Sequence, residues 1–374
     1  MADLAQQYPE RRIVWTRRNV AIISIFMTDI DSTAITTPAR SRFRLLDWLH
    51  RHEKQLWWLH SLYALLLGIG IMWLGNRNYG FLRFTVLQVS FIWLSSLVLR
   101  RVMESPRLSP RLAGWIRTVI NYFNKNFYQQ VLFFVLPIYY ASATIPSRNF
   151  FFVVLVALSA TLSSLDLVYD RLLSVRRGLN AIFFAFNLFV LINVTLPVLW
   201  SIGNTWAMRV SGVLALAGFA TLYFPVAPFR GGKRVVIAVS AILLGILIEL
   251  GRGYVPPAPL RLVWSEFGTE FDRNAMRVAA PVKALEPGGP VRLYGMTAIR
   301  APLGLKEKVR HRWYLDGKLI FGSAAFEITG GREDGFRLWT ICSIEKLSAG
   351  EELHIDAETE GGQLIGRARI RVRG

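Results

Sequence analysis

The sequence predicts a polytopic α-helical membrane bundle of seven transmembrane helices followed by a small all-β, immunoglobulin-like sandwich. Three observations predict it. Long apolar runs recur through residues 56–250, the loops between them alternate between basic and nearly uncharged, and beyond residue 255 short strands alternate with Gly-rich turns. Four segments follow: a cytoplasmic N-terminal arm over 1–55, a transmembrane domain over 56–254, a Pro/Gly-containing connector over 255–290, and an extracytoplasmic β domain over 291–374.

The expected spans are Leu56–Leu74, Phe81–Leu99, Phe127–Ile145, Arg148–Val168, Leu179–Trp200, Trp206–Phe224 and Val235–Leu250. A bilayer core takes roughly 20 apolar residues per helix, and a chain that is 53% hydrophobic has the composition for several. Basic residues precede the first run (Arg40, Arg42, Arg44, Arg51, Lys54) and fill the second loop (Arg100, Arg101, Arg107, Arg111, Arg117, Lys125). They return in the fourth loop (Arg171, Arg176, Arg177) and the sixth (Arg230, Lys233, Arg234), whereas Ser201–Thr205 has none. Basic loops stay on the cytoplasmic side. This pattern places the chain in a bacterial inner membrane, N-terminus inside and C-terminal domain periplasmic.

The net charge of +19 has the same origin. Residues 255–374 hold 18 Lys and Arg against 15 Asp and Glu, so +16 lies beside the spans, where topology and anionic headgroups account for it. Nucleic acid is therefore not an expected partner. One cysteine, Cys342, excludes an intrachain disulfide. In the arm, Ala21–Met27 is apolar but too short to span, and either Met1 or Met27 serves as the start.

Ionisable groups at membrane depth are functional candidates by default. Asp166 and Asp170 sit one turn apart near the end of the fourth run, and Asn187 and Asn193 lie inside the fifth. The carboxylates could hold a cation or relay a proton, or simply pair with loop arginines; the amides could line a path, or hydrogen-bond between helices. No HExxH, GxSxG, P-loop or metal-ligand spacing occurs, and no cofactor or metal is expected.

In the β part, Val309–Leu315 and Lys318–Phe321 flank Asp316-Gly317, a hairpin turn in which both residues tolerate positive φ. A turn at Gly361-Gly362 aligns Asp356 with Arg367, His354 with Arg369 and Glu352 with Arg371 on a solvent face, and Ile355 with Ala368 and Leu353 with Ile370 on an apolar one. Thr359 is then expected opposite Leu364. Alternation turns Val309, His311, Trp313 and Leu315 inward, and makes His311 a hydrogen-bonded core residue. It turns Arg310, Arg312, Tyr314, Arg337 and Trp339 outward. If these lie on one sheet, they form a basic and aromatic platform suited to an anionic glycan, a lipid headgroup or an envelope protein.

The segments Thr297–Leu305, His311-Arg312-Trp313 with Asp316-Gly317-Lys318, Ile328–Arg332, Gly335-Phe336-Arg337 and Gly361–Arg367 resemble an uncharacterised bacterial family, domain of unknown function 2914. Its relatives pair this domain with a polytopic membrane region, to which Gln129–Tyr140 is also similar. The resemblance implies no catalytic residue. The expected role is a membrane-anchored extracytoplasmic binding or envelope-assembly module without catalysis of its own. The alternative is a transporter or membrane-embedded enzyme with its site among the helices.

Overall fold

A computed structural model describes residues 81–104, 109–165, 176–224 and 232–374, with residues 62, 63, 66, 69, 70, 169 and 173. All belong to one compact unit, Trp57–Gly374. The N-terminal arm and most of the first apolar run lie outside the described residues.

Six α-helices precede the β part among the described residues: α1 (Phe81–Glu104), α2 (Pro110–Ala141), α3 (Phe150–Ser164), α4 (Arg177–Trp200), α5 (Asn204–Tyr223) and α6 (Gly232–Gly251). Ser109 starts α2: its hydroxyl accepts from the Leu112 amide at 3.3 Å, and Pro110 fills the first turn, where no donor is needed. Ser201, left-handed at φ 53°, stops α4, so α5 starts within four residues and packs back antiparallel. The helical core joins Leu132, Phe134 and Tyr139 of α2 to Phe184, Leu191 and Val194 of α4. Tyr128 packs edge-to-face on Phe183 and Phe184, at 5.2 and 6.4 Å between centroids.

The expectation of seven spans is corrected here. Among the described residues, two helices are long and apolar enough to cross a bilayer: Arg177–Trp200, of mean hydropathy 2.2, and Asn204–Tyr223, of 1.3. The reason lies in helix boundaries. The fourth run folds as the 15-residue α3, about 22 Å long at 1.5 Å per residue, short of a ~30 Å core. The third run is only the end of α2, one 32-residue helix that also absorbs Lys125 of the expected second loop. In α1 the apolar stretch among the described side chains is Phe84–Val98.

The apolar surface left outside the core is nevertheless large. It includes Phe84, Leu87 and Leu94 on α1, Phe151, Leu155 and Leu158 on α3, and Val239, Ile242, Leu243, Leu247 and Leu250 on α6.

The β part consists of strands β1 (Arg261–Gly268), β2 (Phe271–Asp272), β3 (Arg277–Val278), β4 (Val291–Arg300), β5 (Lys306–Leu315), β6 (Lys318–Gly322), β7 (Phe326–Thr329), β8 (Phe336–Ile344), β9 (Glu352–Thr359) and β10 (Leu364–Arg371). A three-stranded sheet runs β1-β4-β8 and a five-stranded sheet β10-β9-β5-β6, with β7 also on β5. Between them, Leu293, Cys342 and Ile344 of the first meet Trp313, Leu353, Ile355 and Ile370 of the second. Asp316 and Gly317 take φ 45° and 77°, so the tight turn between β5 and β6 forms as their tolerance predicts.

The β9–β10 register pairs Arg367 with Asp356, Ala368 with Ile355, Arg369 with His354 and Arg371 with Glu352, as the turn predicts. A bulge before Gly366 moves Leu364 opposite Glu358 instead of Thr359. Strand β1, inside the expected connector, pairs antiparallel with β4. Removing residues before 285 would therefore strip an edge strand from the three-stranded sheet.

Candidate functional site

The outer face of the five-stranded sheet collects most of the charge in the β part. Alternation turns Lys308, Arg310, Arg312 and Tyr314 of β5 outward beside Glu358, Asp356 and His354 of β9. On its other side β9 faces Arg367, Arg369 and Arg371 of β10. An acidic strand thus lies between two basic ones. Arg367 grips Asp356 bidentately at 2.5 and 2.6 Å. Glu358 lies 3.4 Å from Arg310 and 3.5 Å from Arg312, and Glu352 lies 3.6 Å from Arg369. Tyr314 stacks on His354 at 4.9 Å.

Burial pushes the Glu358 carboxyl up, opposed by the neighbouring arginines. Burial, then the Arg367 guanidinium, holds the His354 imidazole below its ordinary value. The arginines are neutralised from within the sheet, so this face is a structural ion ladder rather than a free anion site. It is also drier than expected, since the Asp356 side chain is only 6% exposed. A double-mutant cycle on Asp356→Asn and Arg367→Gln should therefore give a coupling of about 1–2 kcal/mol, above that of an exposed pair. A coupling indistinguishable from zero would mean that the pair does not hold the register.

Arg337 and Trp339 do not join that face. The expected single platform is corrected: β8 pairs with β4 in the three-stranded sheet, so these two side chains lie on the opposite outside of the sandwich. Strand alternation separates in from out but carries no information on which sheet a strand joins. There Trp339 stacks on Phe271 at 4.6 Å, and Phe271 stacks on Tyr294 at 5.7 Å. The Arg337 guanidinium lies 5.8 Å from the Trp264 ring and donates to the Met276 carbonyl at 3.3 Å. The short β2–β3 hairpin supplies Phe271 and closes over the cluster. Trp339→Ala should loosen that hairpin, seen as faster proteolysis within residues 269–279, at a cost of about 1–2 kcal/mol. Unchanged cleavage would show that the hairpin is held by other contacts.

Of the candidates among the helices, Asp166 and Asp170 lie outside the described residues. Asn187 and Asn193 are buried in α4. Asn187 donates to the Phe183 carbonyl at 2.7 Å. Asn193 donates to the Tyr139 hydroxyl at 3.1 Å, and that hydroxyl donates to the Val190 carbonyl at 2.9 Å. Asn193 therefore ties α4 to α2, Asn187 bonds only within α4, and the Oδ1 of each is buried without a partner.

Sequence reasoning missed the seam between helices and sheets. The Glu307 carboxylate of β5 accepts from the Asn204 amide at 2.6 Å and from its side chain at 3.2 Å, closing the first turn of α5. An anion at that position also meets the positive end of the helix. Asn149, before α3, donates to the Leu364 carbonyl at 2.9 Å. Gln363 donates to the Val255 carbonyl at 3.1 Å. A Cβ on Gly361 would stand 2.8 Å from the Thr205 hydroxyl and 3.1 Å from the Arg252 guanidinium, so a larger residue there would displace both side chains. The one available signal was polarity at the ends of apolar runs: Asn149, Asn204 and Arg252 all flank the charge-poor loops.

Comparison with known proteins adds family matches. Residues 39–289 match a family described as "Family of unknown function (DUF5924)". Residues 306–372 match one described as "Protein of unknown function (DUF2914)". No curated protein matches the chain. One similar solved structure is Pseudomonas fluorescens alkylpurine DNA glycosylase AlkC bound to DNA containing an abasic site analog, at 12% identity. That alignment covers 81% of this chain and 99% of that one, and its TM-score of 0.21 is too low to carry an argument.

Proposed function

The chain belongs to the DUF5924 family of unknown function, and from that premise we propose that it is a membrane-anchored binding module of the bacterial envelope, its β part held on the extracytoplasmic side. The observation that carries this reading is the polar seam. Glu307, Gln363 and the Gly361 turn seat the β part on the helix ends at Asn149, Asn204 and Arg252. These are the ends whose loops lack the basic clusters, so the seam agrees with the orientation that loop charge favours. The wide apolar surface of α1, α3 and α6 is the kind that lipid covers. Exposed Tyr140, Trp200, Trp206 and Tyr254 gather at the seam end, where an interfacial aromatic belt belongs.

The recognition surface is the aromatic face of the three-stranded sheet: Trp264, Phe271, Tyr294 and Trp339 with Arg337. Stacked rings beside a guanidinium suit a sugar ring carrying an acidic substituent. The opposite face is less suited, because its arginines are already engaged. Asn193, bonded across to Tyr139 of α2, favours an anchor over a transport path.

Reporter fusions at Gly203 and Gly374 should both read outside, since the seam puts them at one end of the helices; an inside result at Gly374 would overturn the orientation. The full chain in detergent should bind isolated murein sacculi or lipopolysaccharide, and Arg337→Ala should weaken that binding about tenfold. Capture of an envelope protein with no glycan binding would reject the sugar-binding reading.

A further inference from the structure

We propose that a cavity at the seam holds the headgroup of one membrane phospholipid that carries both a phosphate and a primary amine. The proposal rests on the membrane reading above and adds a ligand to it. The cavity, about 310 Å³ and open to solvent on one side, lies between the start of α5 and strands β5 and β7, and is lined by Thr205, Trp206, Lys306, Glu307, Lys308, Glu327 and Glu360. That volume is at the lower end for a ligand site, enough for a headgroup but not for a whole lipid.

The rest of the lipid has a place to lie. Trp206, Val210 and Val213 recur at i, i+4 and i+7 down one face of α5, and all three are exposed. An acyl chain along this stripe puts its phosphate at the level of Thr205 and Trp206. Tryptophan at that depth is the usual marker of the interface.

Charge decides the class of headgroup. The carboxylate of Glu307 is committed to the first turn of α5, which leaves that helix end no positive field to offer a phosphate. The lining charges not engaged by the helix are two ammonium and two carboxylate groups, which balance; Glu307 adds one negative charge, which disfavours a purely anionic headgroup further. Lys306 lies 3.8 Å from Glu327 and Lys308 3.7 Å from Glu360, each pair loose and more than half exposed. Pairs of this kind are worth little in water and exchange readily. A zwitterionic headgroup replaces both at once, its phosphate taking the lysines and the Thr205 hydroxyl, its amine taking the glutamates. A purely anionic headgroup would leave two carboxylates beside its phosphate. A choline headgroup brings a cation without N–H donors. The match is therefore to phosphatidylethanolamine-type lipids.

The test uses the full chain, reconstituted into bilayer discs of equal phosphatidylethanolamine, phosphatidylglycerol and phosphatidylcholine, then released into mild detergent for native mass spectrometry. One retained phosphatidylethanolamine per chain is expected. Lys306→Gln with Lys308→Gln, and separately Glu327→Gln with Glu360→Gln, should each cut its retention about tenfold. Lys318→Gln, on a strand away from the cavity, should leave it unchanged. Equal retention of all three lipids, or undiminished retention in both double variants, would overturn the site while leaving membrane anchoring intact. A chain that stays in aqueous solution without detergent and retains no lipid would overturn the anchoring itself.

Discussion

Acidification from pH 7 to pH 4 is expected to destabilise the β part by about 3 kcal/mol through His311 alone. Its imidazole is fully buried between the sheets. Nε2 lies 2.7 Å from the Thr297 hydroxyl and Nδ1 2.8 Å from the Thr340 hydroxyl, which also accepts from Trp313 Nε1 at 2.9 Å. Each of these partners is neutral, so nothing repays the burial of a cation, and burial pushes the pKa down to about 3. The sign follows from linkage. Above pH 6.5 both folded and unfolded chains hold the ring neutral, and this contribution is complete. Below pH 6.5 the unfolded chain binds a proton that the folded chain refuses, so stability falls by about 1.4 kcal/mol per pH unit until the folded pKa is reached. Thermal melts of the wild type and His311→Gln between pH 7 and 5 should diverge in slope. Parallel slopes would mean that the ring takes up its proton without leaving the core.

Glu307→Ala should release the β part from the helices, at a cost of about 2–3 kcal/mol to the seam. Glu307 is 9% exposed, and its carboxylate holds both the amide and the side chain of Asn204. Alanine leaves those donors with no partner at a helix start, where the first four amides have none of their own. Glu307→Gln keeps an oxygen acceptor and loses only the charge, so it should retain more than half of the effect. Hydrogen exchange of the full chain in detergent reads the outcome directly: residues 201–207 and 359–364 should lose protection together in the alanine variant, while β4 and β8 keep theirs. Unchanged protection at both stretches would show that the seam is held by Gln363 and Asn149.

The seam holds the β part in one position on the helices, because the hydrogen bonds at Asn149, Asn204 and Val255 come from three separate helix ends. It also places Trp206 and Lys308 on one cavity, although they lie in different parts of the chain.

Some of this was legible in the sequence, and for a common reason. The left-handed turn at Asp316-Gly317, the partners of Asp356 and His354 along β10, and the inward row Val309, His311, Trp313 all depend on local rules: turn stereochemistry and a side-chain period of two. Local rules act wherever the residues stand, so they read correctly without the fold. What only the tertiary structure decided depends on pairings between distant segments. Apolar content located helices but not their ends, and among the described residues the ends left two of them long and apolar enough to cross a bilayer, with the fourth run reduced to α3. Alternation turned Arg312 and Trp339 outward but could not show that β5 and β8 belong to different sheets. Nothing near Glu307 in the chain announces Asn204, 103 residues away, as its partner. A helix start lacks donors' partners wherever it is buried, and which acceptor reaches it is settled by the packing of the whole chain.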